Sequence, residues 1–272
     1  MKGRFALRSV ALGYLALLLV LPVGFVFFKT FEHGIGAAWD SVTTPDAKHA
    51  FWLTIQLVVI AVPLNTIFGV IAAISIVRQK WRGRAVFNAL LDLPFAVSPV
   101  VVGLALLLLY GRTGWFGEWL TENGLRVVFS MPGMILATIF VSLPFVVREV
   151  VPVLQEIGDD QEQAAATLGA SPWQTFWRIT LPAIRWGVTY GVVLSTARAI
   201  GEFGAVAVVS GKIEGKTETA TLLVENQYEH FNVAGAYAAA LVLAVMALTV
   251  LLAMNLIQRD IYPRSFLLRR PT

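Results

Sequence analysis

The sequence predicts an all-α integral membrane protein with about six transmembrane helices, and three observations carry that expectation. Of the 272 residues, 57% are hydrophobic and only 14% charged, with a mean hydropathy of +0.72; a soluble domain carries about 25% charged residues. No Asp, Glu, Lys or Arg lies between Lys48 and Arg78, and only Asp92 interrupts the stretch from Arg84 to Arg112. Either gap exceeds the roughly 20 apolar residues a helix needs to cross a bilayer. Finally, lysine and arginine fall unevenly between alternate loops, as they do in multi-pass proteins.

The apolar runs place the spans at 9–28, 51–77, 86–110, 131–150, 186–209 and 233–257. The first follows Lys2, Arg4 and Arg8 as a signal peptide would, but it outruns the about 7–15 apolar residues of a signal and ends in bulky PVGFVFF. It reads as a retained helix. The second is longer than a bilayer requires, so it tilts or protrudes. The third and fourth hold Pro94, Pro99, Pro132 and Pro144, where kinks are expected. The sixth opens with Gly235, Ala236 and Ala239, which allow close helix–helix approach.

With the N-terminus in the cytoplasm, the inside set is Lys2, Arg4, Arg8, Arg78, Lys80, Arg82, Arg84, Arg148, Arg178, Arg185, Arg259, Arg264, Arg269 and Arg270. The outside set is Lys29, Lys48, Arg112, Arg126, Lys212 and Lys216. That is 14 against 6, so both termini are expected on the cytoplasmic side of a cell membrane. The net charge of +4 thus follows from topology and implies no nucleic acid. With no cysteine, the chain offers neither disulfides nor a thiolate site. His33, His49 and His230 are scattered among expected loops, which argues against a histidine metal site. One multi-pass domain over 1–272 is expected, with no internal repeat.

The stretch QEQAAATLGASPWQTFWRITLP (161–182) breaks this apolar pattern within the longest cytoplasmic loop. Ala164, Ala165, Ala166 and Leu168 favour helix, and Gly169 suits the left-handed residue that ends one. Ser171, Pro172 and Gln174 spell a capping box for a second helix. That helix would carry Trp173, Phe176, Trp177 and Ile179 and stop near Leu181-Pro182. Small residues let another protein approach the backbone, and the aromatics can fill its pockets. A plain re-entry loop is the bland alternative. A DNA-binding helix-turn-helix needs several side chains at base edges, and here Arg178 is nearly alone.

These residues resemble the EAA loop of ABC-importer permeases: Glu-Ala-Ala, three residues, Gly, nine residues, Ile, one residue, Leu-Pro. Here Ala164-Ala165, Gly169, Ile179 and Leu181-Pro182 keep the spacing, while Gln163 stands at the glutamate position, with Glu162 before it. The resemblance implies a type I importer fold in which a coupling loop at about 155–185 docks on a separate cytoplasmic ATPase dimer. The implied contacts are Gln163, Ala164, Ala165, Gly169, Ala170, Ser171, Pro172, Ile179, Leu181 and Pro182. No catalytic residue, cofactor or metal is implied, and no GxxxxGK[ST] phosphate loop occurs in the chain.

DLPFAVSPVVVGL (92–104), MPGMILATIFVSLPFVVREVVPVL (131–154) and ARAIGEFGAVAVVSG (197–211) extend the resemblance to CysW-like sulfate/thiosulfate permeases. Permeases for molybdate or another tetrahedral oxyanion are the alternative. The resemblance implies a CysT-like second permease subunit in a heterodimer and an extracytoplasmic sulfate-binding protein. A secondary anion transporter would leave the loop unexplained and usually shows a repeat. A membrane enzyme would need clustered acid, base or ligand residues.

Within the fifth span, Arg198 and Glu202 are four residues apart and share a helix face. A charge at mid-bilayer costs about 2.5–3.5 kcal/mol on insertion scales, so these side chains should face a cavity or each other. They line the anion pathway or pair structurally; the spacing admits both. Gly201 and Gly204 permit a bend there. Asp92, beside Pro94, reads as structural. The outer segments 29–50, 111–130 and 210–232, with Trp115, Phe116 and Trp119, suit either the binding protein or interfacial anchoring.

Overall fold

The computed structural model describes residues 2–32 and 34–261; His33, Arg264, Arg269 and Arg270 lie outside them. Among the described residues, all regular structure is helical. The helices are α1 (Lys2–Leu15), α2 (Leu21–Phe31), α3 (Ile35–Thr43), α4 (Pro45–Arg78), α5 (Arg84–Ala96), α6 (Pro99–Tyr110) and α7 (Gly117–Glu122). They continue as α8 (Met131–Ile157), α9 (Asp160–Thr167), α10 (Pro172–Thr175), α11 (Leu181–Ile200), α12 (Gly204–Val209), α13 (Ala220–Glu229) and α14 (Val233–Ile261).

Two π-helical turns, Ala16–Val20 and Phe176–Thr180, join α1 to α2 and α10 to α11. Both end just before a Leu-Pro pair, and for one reason. Pro22 and Pro182 have no N–H for the carbonyl a turn back. In each case the preceding leucine amide reaches five residues back instead, Leu21 to the Ala16 carbonyl and Leu181 to the Phe176 carbonyl. The second cassette helix therefore does not stop at Leu181-Pro182, as the sequence suggested, but runs on into α11.

Four helices among the described residues are long and apolar enough to cross a membrane: Leu7–Phe31, Pro45–Arg78, Met131–Ile157 and Val233–Ala253. The pair α5 and α6, bent by 110°, makes a fifth if it is one broken span. Pro99 explains the bend, because a residue before proline is driven out of the helical region; Val97 and Ser98 both have ψ of 134°. Pro132 and Pro144, the other prolines of the expected spans three and four besides Pro94, both lie in α8. Pro132 sits in the first turn of α8, where no N–H is needed, and α8 continues through Pro144. The sixth expected span, 233–257, falls within α14, whereas the fifth, 186–209, is not one continuous helix: α11 ends at Ile200 and α12 begins at Gly204.

The described residues divide into two compact units, those within 1–53 with 214–245 and those within 54–213 with 246–272. In the first, Ala47, Ala50, Leu223 and Ala239 form a buried cluster. Gly235 serves a cap and not a helix crossing: its amide donates to Asn232 Oδ1 at 3.1 Å, and a Cβ would stand 2.7 Å from Asn232 Nδ2. His49, expected in a loop, lies in α4, its ring 3.2 Å from the Lys216 carbonyl.

In the second unit α8 is the central helix. Val146, Val147, Val150 and Leu154 of α8 pack with Val70, Ala73 and Ile76 of α4 and Ile184 of α11. α11 comes close enough that a Cβ on Gly191 would stand 2.8 Å from the Val146 Cα. Arg148 ties α8 to α5, donating Nε to Asp92 Oδ1 at 2.6 Å and Nη2 to the Asn88 carbonyl at 3.3 Å. Asp92 thus has the structural partner that its place in an apolar span required.

Candidate coupling loop and intramembrane ion pair

The cassette is two short helices and a sharp turn, each feature traceable to one residue type. At the end of α9, Gly169 adopts φ +84°, donating its amide to the Ala166 carbonyl, while the Ala170 amide reaches the Ala165 carbonyl, both at 3.0 Å. This paired arrangement is the Schellman ending, and glycine meets its left-handed geometry without Cβ strain. The capping box is complete: Ser171 Oγ accepts from the Gln174 amide at 3.3 Å, and Gln174 Oε1 accepts from the Ser171 amide at 2.9 Å. Such a cap contributes about 1 kcal/mol.

Gln163, Ala164, Gly169, Ser171, Pro172 and Pro182 are exposed, and Ala165, Ala170, Ile179 and Leu181 half-buried. Beside them stand large apolar side chains with little cover: Leu168 is 88% exposed, Trp173 69% and Trp177 50%. Trp173, Phe176 and Trp177 form one aromatic group with centroids 5.3–6.2 Å apart. The bare apolar surface and the small-residue turn lie within one short polar stretch.

Glu162 and Gln163 part company. Gln163 is exposed, whereas the Glu162 side chain is 21% exposed and turned inward to Arg78. Arg78 donates Nε to Glu162 Oε2 at 2.9 Å, Nη1 to the Leu154 carbonyl at 3.0 Å and Nη2 to the Gly158 carbonyl at 2.6 Å. Thr180 Oγ1 donates to Glu162 Oε1 at 2.8 Å. Sequence reading missed Arg78, which counted only as one basic loop residue. The available signal was a basic residue at a helix C-terminus, a position that favours carbonyl contacts.

Arg198 and Glu202 do meet, Nη1 to Oε2 at 2.6 Å, but across the end of α11 and not along a helix face. Glu202 lies in the Gly201–Phe203 break, its side chain 2% exposed against 30% for Arg198. Its Oε1 accepts from the Ala205 amide in the first turn of α12 at 2.9 Å. One carboxylate thus neutralises a guanidinium and satisfies an otherwise orphaned helix amide. Gly204 allows the close fit, since a Cβ there would stand 3.0 Å from Pro99 Cβ. The break after α11 therefore packs on the break before α6.

Comparison with known proteins agrees with this architecture. Residues 65–265 match the family model described as binding-protein-dependent transport system inner membrane component. The chain is 49% identical over 258 residues to the sulfate transport system permease protein CysW of Synechocystis sp., covering 95% of this chain and 94% of that one. It is 40% identical over 245 residues to the sulfate transport system permease protein CysT of Synechococcus elongatus, covering 90% and 88%. A crystal structure of a bacterial ABC transporter involved in the import of the acidic polysaccharide alginate superposes with a TM-score of 0.80 over 95% of this chain and 96% of that one, at 19% identity. That likeness concerns the fold. The chain belongs to the family of inner-membrane components of binding-protein-dependent transport systems.

Proposed function

We propose that this chain is the permease subunit of an ATP-driven ABC importer for sulfate and thiosulfate, non-catalytic itself, working as one domain beside a second, CysT-like permease. The observation that carries the substrate is the 49% identity to a sulfate permease over nearly both full lengths. A separate ATPase dimer hydrolyses ATP, and an extracytoplasmic binding protein delivers the anion. Both termini face the cytoplasm.

The cassette suits docking on the ATPase through Gln163, Ala164, Ala165, Gly169, Ala170, Ser171, Pro172, Ile179, Leu181 and Pro182. Leu168, Trp173 and Trp177 supply apolar surface that costs free energy while it faces water. Arg198 is the pathway cation, held in place by Glu202, and its 30% exposed side chain leaves room to meet an anion.

Uptake of radiolabelled sulfate in cells with and without this chain tests the reading, with molybdate in parallel. Sulfate uptake is expected to disappear without the chain and return with it. Loss of molybdate uptake alone moves the substrate to that oxyanion, and loss of neither removes the oxyanion assignment.

A further inference from the structure

The cluster around Glu162 joins three neighbouring segments to one that is distant in sequence, the end of α4. Glu162 opens the cassette in α9, Thr180 closes it at the second π-helical turn, Arg78 ends α4, and the Leu154 and Gly158 carbonyls end α8. All the chain between Glu162 and Thr180 is therefore a loop whose base is pinned through one carboxylate. The same guanidinium that holds this base also closes the end of α8. The cluster is compact: the space left among Arg78, Leu154, Gly158, Glu162, Thr180 and Ile184 is about 10 Å³, room for one water at most. Charge-assisted bonds of this kind are stronger and more directional than neutral ones. The Arg78 and Glu162 side chains are only 16% and 21% exposed, so solvent screens them little.

We propose that Arg78, through Glu162, is the positioning residue that passes displacement of the exposed cassette to α4 and α8. This rests on the reading of the cassette as the ATPase-docking element. A push on α9 or α10 from outside reaches Glu162 within a few residues. It then meets α4 directly through Arg78, not only through the continuous chain into α8 and α11. Without the clasp, the cassette moves on its backbone connections alone. Docking then survives while the stroke delivered to α4 shrinks. The Glu-Ala-Ala position facing outward, Gln163, takes no part in this linkage; the neighbouring Glu162 does.

The test uses the whole transporter in proteoliposomes, with ATP hydrolysis and sulfate uptake measured on the same vesicles. Arg78→Gln is expected to co-purify with the ATPase and still hydrolyse ATP, but to move about tenfold less sulfate per ATP. Arg78→Lys, which keeps the charge but presents its donors from one nitrogen and not from a planar fork, is expected to fall between. A merely structural Arg78 would instead lower the amount of complex and leave the sulfate moved per ATP unchanged, and that result overturns the proposal. Should Arg78→Gln fail to assemble, Thr180→Val removes one bond from the same carboxylate. It is expected to lower the ratio about twofold, and an unaltered ratio overturns the proposal equally. A wild-type complex that moved no sulfate would sink the substrate reading instead. The linkage would then be scored on the stimulation of ATP hydrolysis by the binding protein, which Arg78→Gln is expected to lower about tenfold, and unchanged stimulation overturns the proposal.

Discussion

Single residues decide the local geometry of both candidate sites, and their substitutions separate backbone from side-chain effects. Gly169 sits at φ +84° with no atom within 4 Å of where a Cβ would stand. An alanine there meets no clash, so its cost is conformational alone, about 1 kcal/mol. Gly169→Ala is thus expected to leave transport near normal. Gly169→Asp adds charge and bulk at the turn and is expected to abolish transport while the protein stays in the membrane; normal uptake and normal co-purification with the ATPase would remove the docking assignment. Arg198 and Glu202 offer a second test. Arg198→Gln leaves a carboxylate that is 2% exposed without its guanidinium, which costs about 3 kcal/mol, so membrane abundance should drop. The double change Arg198→Gln with Glu202→Gln should restore abundance, since a side-chain amide oxygen in place of the Glu202 carboxylate can still accept from the Ala205 amide. If the restored protein transports sulfate at the wild-type rate, Arg198 is no pathway cation.

Glu218 shows the same logic outside the membrane spans. It is 1% exposed, its Oε1 accepting from Asn226 Nδ2 at 2.8 Å, and that amide nitrogen also donates to Glu214 Oε1 at 2.7 Å. Burial raises its pKa above the ordinary carboxyl range, against the Asn226 hydrogen bond and with help from Glu214 and Asp46. A raised folded pKa means the folded segment holds the proton more tightly than the unfolded one. Stability therefore falls as pH climbs from the ordinary carboxyl value of about 4.3 through the raised folded value. Glu218→Gln keeps the acceptor and removes the charge. Amide exchange across residues 214–230 should be slower than wild type at neutral pH and converge with it in acid. A difference that persisted unchanged in acid would show that burial of the charge is not the cause.

At the scale of elements, helices were legible where one local rule acted alone. The Gly169 ending and the Ser171–Gln174 cap could be read directly because both bond patterns close within six residues. The Leu181-Pro182 pair misled because proline has two outcomes: it ends a helix, or a π-helical turn absorbs its missing N–H. Packing of the following helix decides between them, and here Ile184 and Gly187 of α11 are buried, which holds the chain helical. The fifth span failed for a related reason. Gly201 and Gly204 marked a bend, but apolar composition over 186–209 does not reveal that the helix ends there and that its break meets the one at Ser98-Pro99. The Arg78 clasp was missed because its one local signal, a basic residue at a helix C-terminus, names no partner, and the partners lie 76 to 84 residues away.

Across the whole molecule, the basic excess predicts which segments share a side of the membrane, and contacts inside each unit bear on that pairing. Arg78 meets Glu162, and the Phe129 amide donates to the Val209 carbonyl at 2.7 Å. His49 lies against the Lys216 carbonyl. Each pair joins segments that the charge asymmetry assigns to one side, the first inside and the other two outside. Three independent pairings would not all agree if one span had been misplaced between them. Thiol labelling measures the absolute orientation directly, and the chain is well suited to it because it contains no cysteine. A single engineered thiol is then the only label site, with no native background. Leu168→Cys and Trp115→Cys both replace side chains that are 88% exposed, so neither change opens a cavity in a core. In intact cells a membrane-impermeant maleimide should label Trp115→Cys and spare Leu168→Cys, and opening the cells should expose the second. The reverse pattern would invert the topology and put the cassette where no cytoplasmic ATPase can reach it. Labelling of both in intact cells would mean that α8, the one long helix between the two positions, does not cross the bilayer, and the assignment of sides would fall with it.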